Sequence, residues 1–254
     1  MNEQALSAPL QEHEVLFLDF LGFATAVQHW DDERMGELIA VLAGIADAQS
    51  DFDIKGESQS DGSYKITSRA EITTFSDHIV VSYPRIAKPA EIAGDLWGVL
   101  SNGWVGMVRQ QMQRITAQVA MAGLGVGLLV RGGLSRGKLY HRGRVVVGEA
   151  MVDAYQLESK VARNARVVVS PRISDNDRLF IDTDGARCLD YIGEMMLLAE
   201  DRHSDARAWV RQRLAEIEAT INDLTGYRQS NEAAKWIYFR DKLWYAMEAW
   251  SCRC

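Results

Sequence analysis

Two acidic residues sit where an unpartnered carboxylate is costly. Asp19 closes the apolar run Val15–Leu16–Phe17–Leu18, which reads as a buried strand. Asp77 interrupts a second β-rich stretch, between Phe75–Ser76 and His78–Ile79–Val80–Val81, and reads as the acid of a hairpin turn. A carboxylate at the end of a buried strand must be paired, hydrogen-bonded or metal-bound. Two of them on adjacent strands could hold Mg²⁺ or Mn²⁺, which take oxygen ligands. A pair of ions held in this way suits attack at phosphorus. Taken singly, either Asp reads first as a helix cap or a turn residue. Taken together, the metal reading comes first. Gly22 follows Asp19 and opens a helical pattern, whose free N–H groups and positive dipole end suit a polyphosphate.

The elements that must position these acids follow from periodicity. After Gly22 a helical pattern runs to about Gln49, and Ser50 to Ser63 reads as a loop. Tyr64 to Phe75 and His78 to Tyr83 read as two strands of one hairpin. Ala90 to Ala122 is mainly helical, with interruptions around Gly98 to Gly103. Leu128 to Val147 reads as a β-ribbon, Glu149 to Arg163 as a helix, and Arg166–Ser170 and Leu179–Ile181 as short strands. Beyond about Ile192 the pattern is helical throughout. The implied class is α+β, an antiparallel sheet with helices packed on it and a C-terminal helical appendage. The boundaries read as a tail over 1–13, a catalytic domain over 14–192 and a helical extension over 193–254. Trp209, Trp236, Trp244 and Trp250 of the extension are expected to pack on the domain.

Composition narrows the function classes. The chain has 254 residues, 47% hydrophobic and 25% charged, which excludes disordered and collagen-like classes. A formal net charge of −7 disfavours a partner that is a nucleic acid polymer. The three cysteines, Cys188, Cys252 and Cys254, form no disulfide framework. The polar, acidic start reads as no secretory signal, and the apolar stretches are too short for a bilayer, which needs about 20 residues. The expectation is a cytoplasmic protein with no membrane partner.

Five segments, in order, resemble the class III nucleotidyl cyclase catalytic domain. Phe17-Leu-Asp19-Phe-Leu-Gly22-Phe23-Ala-Thr25 is similar to that family's Phe-x-Asp-Ile-x-Gly-Phe-Thr metal segment. Ile72-Thr-Thr-Phe-Ser76-Asp77 resembles its Lys-x-x-Gly-Asp hairpin, and Leu129 to Gly137 its Arg-x-Gly-Ile-x-x-Gly segment. Val147 to Glu158 resembles its Gly-x-x-x-Asn-x-Ala-Ala-Arg-Leu-Glu helix, and Val167 to Ser170 the strand that follows. The resemblance covers residues 14 to 182 and implies a ferredoxin-like sheet. The chain departs from the family at informative places. The base-selecting Lys aligns with Thr73, the Gly before the second acid with Ser76, the Asn with Val152 and the Arg with Gln156.

The resemblance implies a reaction and a site. Asp19, the Phe20 carbonyl and Asp77 would hold two divalent ions, Mn²⁺ or Mg²⁺. N–H groups of Leu21, Gly22 and Phe23 would cradle the phosphates of a nucleoside triphosphate. Thr73 would face the base, and Arg131, Arg136, Lys160 and Arg163 are candidates for the charge of the leaving pyrophosphate, Arg131 first. His78 and His141 receive no role. With both acids kept and the base-selecting Lys absent, the pattern is most similar to the pyrimidine cyclases of the Pycsar antiphage systems. That implies UTP converted to cyclic UMP, a homodimer with sites between its subunits, and a separate effector protein that senses the product. CTP as substrate, a purine cyclase, and an inactive cyclase-like module are the alternatives.

Overall fold

The apolar run around Phe17 is the middle of β1 (Gln11–Leu21), a strand buried on both faces. The computed structural model describes residues 10–47, 54–57, 65–85, 96–173, 179–226 and 230–251. Successive side chains of a strand point to opposite faces. Leu16, Leu18 and Phe20 therefore enter one core, and Val15 and Phe17 another, all at 2% exposure or less. Burying one such side chain stabilises the fold by roughly 1.5–3 kcal/mol.

β1 is flanked by antiparallel β5 (His78–Pro84) and by antiparallel β6 (Leu129–Arg142), the longest strand of the sheet. Beyond β5 lies β4 (Glu71–Phe75). Beyond β6 come β8 (Val167–Val169), β10 (Arg187–Leu189) and β9 (Leu179–Ile181), with β7 (Val145–Gly148) also paired to β6. The β6–β8 pair is parallel, so the sheet is mixed and not purely antiparallel. The class is α+β, with helices packed on the sheet.

One face of the sheet carries α4 (Glu149–Gln156), continued by a π-helical turn, Leu157–Val161. Gly133 sets how close that helix comes, because a Cβ there would lie 2.1 Å from the Ala154 carbonyl oxygen. Asp153 locks the contact, accepting hydrogen bonds from Ser135 Oγ at 2.5 Å and Ser170 Oγ at 2.8 Å. The larger core, the one containing Leu16 and Leu18, also takes in residues of α1 (Phe23–His29), α2 (Asp32–Asp47) and α3 (Leu96–Val126). Residues of α5 (Tyr191–Arg202), α6 (Ala206–Gly226) and α7 (Ser230–Ser251) join it.

Several local expectations change. A short strand, β2 (Ile54–Glu57), stands inside the stretch read as a loop and pairs with β3 (Lys65–Ser68) in a separate two-stranded sheet. The stretch read as one strand before Asp77 is thus β3 and β4, divided at Arg69–Ala70. The first helical pattern is two helices, since Trp30 takes an extended conformation after α1. α3 runs unbroken through Gly103 and Gly106, because half-buried and buried apolar neighbours on its inner face outweigh glycine's helix cost of about 1 kcal/mol. Residues 90–95, at the expected start of that helix, and Cys252 and Cys254 lie outside the described residues. No helix among the described residues is long and apolar enough to cross a membrane.

The C-terminal helices are bound by packing and by charge. Val210, Leu214 and Ile217 of α6 and Phe239, Leu243 and Met247 of α7 are buried in the same core as Leu16. Trp209, Trp236 and Trp250 pack against it half-buried, while Trp244 is 54% exposed. Asp182, between β9 and β10, is buried and accepts from Arg166 Nη1 at 2.6 Å, Tyr238 OH at 2.7 Å and Lys242 Nζ at 2.9 Å. Arg166 Nη2 also donates to Asp184 at 2.6 Å and to the Val161 carbonyl at 3.0 Å. Asp182 thus ties α7 to the β9–β10 turn, and the Arg166 guanidinium ties that turn to the π-helical turn. Burial pushes the nearby Cys188 thiol up to about 12, which keeps it unreactive.

Candidate active site

Strand register builds one row of side chains across four strands. Phe75 of β4 pairs with His78 of β5, His78 with Asp19 of β1, and Asp19 with Arg131 of β6. All four belong to the α4 face. Asp77 joins them from the two-residue turn Ser76–Asp77, where Ser76 takes a positive φ of 55°. That is the position where the resembled family has glycine, and the left-handed conformation explains the family's choice. The two acids separated by 58 residues in sequence are neighbours here, with His78 between them. His78 Nε2 lies 3.6 Å from Asp19 Oδ1, and its Nδ1 lies 3.2 Å from Asp77 Oδ1.

Arg131 compensates the row. Its Nε donates to Asp19 Oδ2 at 2.9 Å, and its Nη2 lies 2.7 Å from Glu158 Oε1. Glu158 is 2% exposed and comes from the π-helical turn. Burial pushes its carboxyl up to about 7, with Arg131 holding it back and Asp19 and Asp77 adding to the rise. Burial also raises Asp19; the Arg131 guanidinium opposes the rise and Asp77 reinforces it. Asp19 and Glu158 thus share one guanidinium, Asp77 lies beside them without it, and a further positive charge would stabilise all three. Glu158 was not anticipated as a site residue. Its position four residues after buried Ala154, on the face of the helix turned to the sheet, was the available signal.

Beside the acids the backbone turns sharply. Gly22 takes φ 93° directly after β1, and α1 starts at Phe23. The Phe20 side chain is buried in the main core, so only its main chain can face the site. Leu21 is buried and Phe23 half-buried, which leaves main-chain groups as the polar atoms they offer.

The remaining candidates divide. Thr73 lies on the same face as Asp19, next to buried Val80, but its hydroxyl already has partners. It donates to the Gly143 carbonyl and lies 2.8 Å from His141 Nε2, so Nε2 carries the proton and donates to it. His141 Nδ1 then accepts from Ser82 Oγ at 2.9 Å. Burial, helped by His13, pushes His141 down to about 4, so it is neutral at pH 7. The structure does not bring Arg136 to the row. It sits on the other face of β6, with its Nε 2.9 Å from Oε1 of buried Glu14. Lys160 and Arg163 are exposed on and just after the π-helical turn. Val152 is 54% exposed on α4 and Gln156 is exposed, Tyr155 is 48% exposed with its ring edge-on to Phe17 at 5.6 Å, and Asp153 is turned inward.

The donor set fits a divalent cation. Asp19, Asp77 and His78 each offer an atom, and the three atoms lie within 4.8 Å of one another. No family model matches the chain, and no curated protein matches it in sequence. Among solved structures, the dimeric guanylyl cyclase domain of the RhoGC fusion protein from the aquatic fungus Blastocladiella emersonii is similar. The TM-score is 0.42 at 10% identity, over 71% of this chain and 94% of that one. The guanylate cyclase domain of RhGC from Catenaria anguillulae, in complex with GTP, gives 0.38 at 13% identity, over 72% of this chain and 96% of that one.

Proposed function

We propose that this chain is a metal-dependent nucleotidyl cyclase that converts UTP to 3′,5′-cyclic UMP and pyrophosphate. The reading is carried by one observation: Asp19 and Asp77, the two acids of the cyclase-like segments, meet at the end of β1 beside the Gly22 turn. Asp19, the Phe20 carbonyl and Asp77 would hold two divalent ions, Mn²⁺ or Mg²⁺. When bound, such ions activate the ribose 3′-hydroxyl and neutralise the triphosphate.

The rest falls to the chain's own residues. The bond from the 3′-oxygen to the α-phosphorus forms as the bond to the leaving pyrophosphate breaks. N–H groups of Leu21, Gly22 and Phe23 bind the β- and γ-phosphates and hold the α-phosphorus in line. Negative charge grows on the pyrophosphate, and Arg131 is the cation already in place to meet it. Glu158 orients that guanidinium. Thr73 limits the base pocket from the β4 side through its fixed contacts to His141 and Gly143. Lys160 and Arg163 remain candidates for the outer phosphates, whereas Arg136, on the other face of β6 with Glu14, serves the fold.

A homodimer completes the site in this reading. Phe75, Val152 and Tyr155 are large apolar side chains, 48–54% exposed, on the elements that carry or flank the acids. Their exposure supports a second copy of the chain covering the α4 face. The product would act as a second messenger in antiphage defence, sensed by a separate effector. The test is incubation with each of the four nucleoside triphosphates and Mn²⁺, followed by product analysis. Cyclic UMP from UTP is expected, with Asp77→Asn inactive and still folded. Cyclic CMP, or a purine product, would change the substrate. No cyclic product from folded, dimeric protein would overturn the enzyme reading.

A further inference from the structure

We infer that His78 is a nitrogen ligand of the acid site, which makes the site selective for a first-row transition ion such as Mn²⁺ or Co²⁺ over Mg²⁺. This rests on the proposal that Asp19 and Asp77 hold metal, and adds the ligand that sets which metal.

Four observations carry it. First, His78 stands between the acids, with one ring nitrogen toward each: Nε2 3.6 Å from Asp19 Oδ1 and Nδ1 3.2 Å from Asp77 Oδ1. Second, Nδ1 is buried and its approach to Asp77 Oδ1 is not aligned as a hydrogen bond, so a polar atom of the site is left without one. Third, the ring is held from two sides. Phe75 stacks on it at 5.1 Å with an interplanar angle of 21°, and Phe17 packs at 5.2 Å, tilted by 43°. An imidazole fixed in this way gives up little freedom on ligation. Fourth, whichever nitrogen takes the ion, the other faces a carboxylate. In metal-bound histidines a carboxylate bonded to the second nitrogen fixes the tautomer and raises the basicity, and a carboxylate stands beside each nitrogen here.

The chemistry gives the selectivity. Mg²⁺ takes oxygen ligands, demands near-octahedral geometry and keeps its waters. Imidazole is a ligand of the borderline transition ions, whose affinity rises from Mn²⁺ to Co²⁺. A site of carboxylates alone would hold Mg²⁺ and Mn²⁺ through the same kind of bond. Adding His78 strengthens the hold on Mn²⁺ and Co²⁺ and leaves Mg²⁺ behind.

The test uses the full chain and metals alone. Calorimetric titration of wild type with Mn²⁺, Co²⁺ and Mg²⁺ is compared with His78→Ala and His78→Gln. The expected result is at least a tenfold loss of Mn²⁺ and Co²⁺ affinity in both variants, with Mg²⁺ affinity changed less than threefold. Unchanged Mg²⁺ affinity also shows that the variants are folded. Pulsed electron paramagnetic resonance of Mn²⁺-loaded wild type gives a measurement that needs no variant. It is expected to show nitrogen modulation that moves to ¹⁵N frequencies when the protein is labelled with [¹⁵N]histidine. Mn²⁺ bound without histidine nitrogen coupling, or equal losses for all three ions, would overturn the inference and leave the carboxylate site standing. No ion bound by wild type at all would overturn both.

Discussion

Asp182→Asn tests whether the C-terminal helix is held by charge. The substitution keeps volume and removes one negative charge from a side chain that is 1% exposed. It strips the charge from the partner of Arg166 at 2.6 Å, Tyr238 at 2.7 Å and Lys242 at 2.9 Å, and the new amide group adds a donor where only donors point. Most of the loss comes from Arg166, itself 5% exposed, which keeps only the half-exposed Asp184 as an anionic partner. Breaking a buried pair by removing one partner costs about 3–5 kcal/mol. In a chain of this size that lowers Tm by roughly 10 °C. Burial alone would raise the Asp182 carboxyl, but the hydroxyl of Tyr238 and the cations of Lys242 and Arg166 outweigh it and hold it well below the usual carboxylate range. An acid depressed on folding contributes stability that is fully present above its unfolded value of 3.8 and is lost as pH falls through the folded value. Urea unfolding of wild type and variant should therefore show a constant gap from pH 5 to 8 that narrows below about pH 4. A gap under about 1 kcal/mol at pH 7 would refute the assignment, since a buried pair that matters cannot cost so little.

Three further outcomes follow from geometry. Glu158 is an acid raised on folding, to about 7 from 4.5, so the folded state binds the extra proton and wild-type stability falls as pH rises between those values. In metal-free buffer, Glu158→Gln should remove up to about 3 kcal/mol of that fall; parallel pH profiles of the two proteins in urea would show that Glu158 titrates normally. Gly133→Ala places a Cβ 2.1 Å from the Ala154 carbonyl oxygen and should push α4 off the sheet. A loss of about 2–3 kcal/mol is expected by chemical denaturation, and a neutral result would mean the helix shifts freely. Ser76→Gly relieves a left-handed φ of 55°. Thermal melting should rise by a degree or two, because about 1–2 kcal/mol of strain is set against glycine's greater unfolded-state entropy; a fall in Tm would show that Ser76 is held by contacts instead.

The strands around the acids were legible because burial on both faces of β1 writes a continuous apolar run, and a hairpin writes two such runs around a polar break. What was not legible depends on tertiary contact. β2 is four residues long in a polar stretch and exists through its pairing with β3. The parallel β6–β8 pair leaves no mark in either strand's composition. Arg131 and Arg136 lie five residues apart in one segment, and both read as candidates, Arg131 first. Strand alternation sends them to opposite faces, one to Asp19 and one to Glu14. Thr73 carries a hydroxyl suited to a base edge, yet His141, 68 residues away, already bonds it. Glu158 shares its helix face with Ala154, but spacing alone does not say that this face meets Arg131 and the acids, which only docking of the helix on the sheet decides.

The turn at Ser76–Asp77 bears on how this chain can change over time. Asp19, His78 and Arg131 reach the row by strand position, but Asp77 reaches it from a two-residue loop whose length also sets the register of β4 against β5. Adding or deleting one residue there, or shifting β5 by one place, reverses every side chain of β5 between the faces of the sheet. His78 would leave the acids and Val80 would leave its core together. Point substitutions can drift through this hairpin while changes of length are purged, so a library of single-residue insertions and deletions, sorted only for folded protein, would outline the site without any assay of its chemistry.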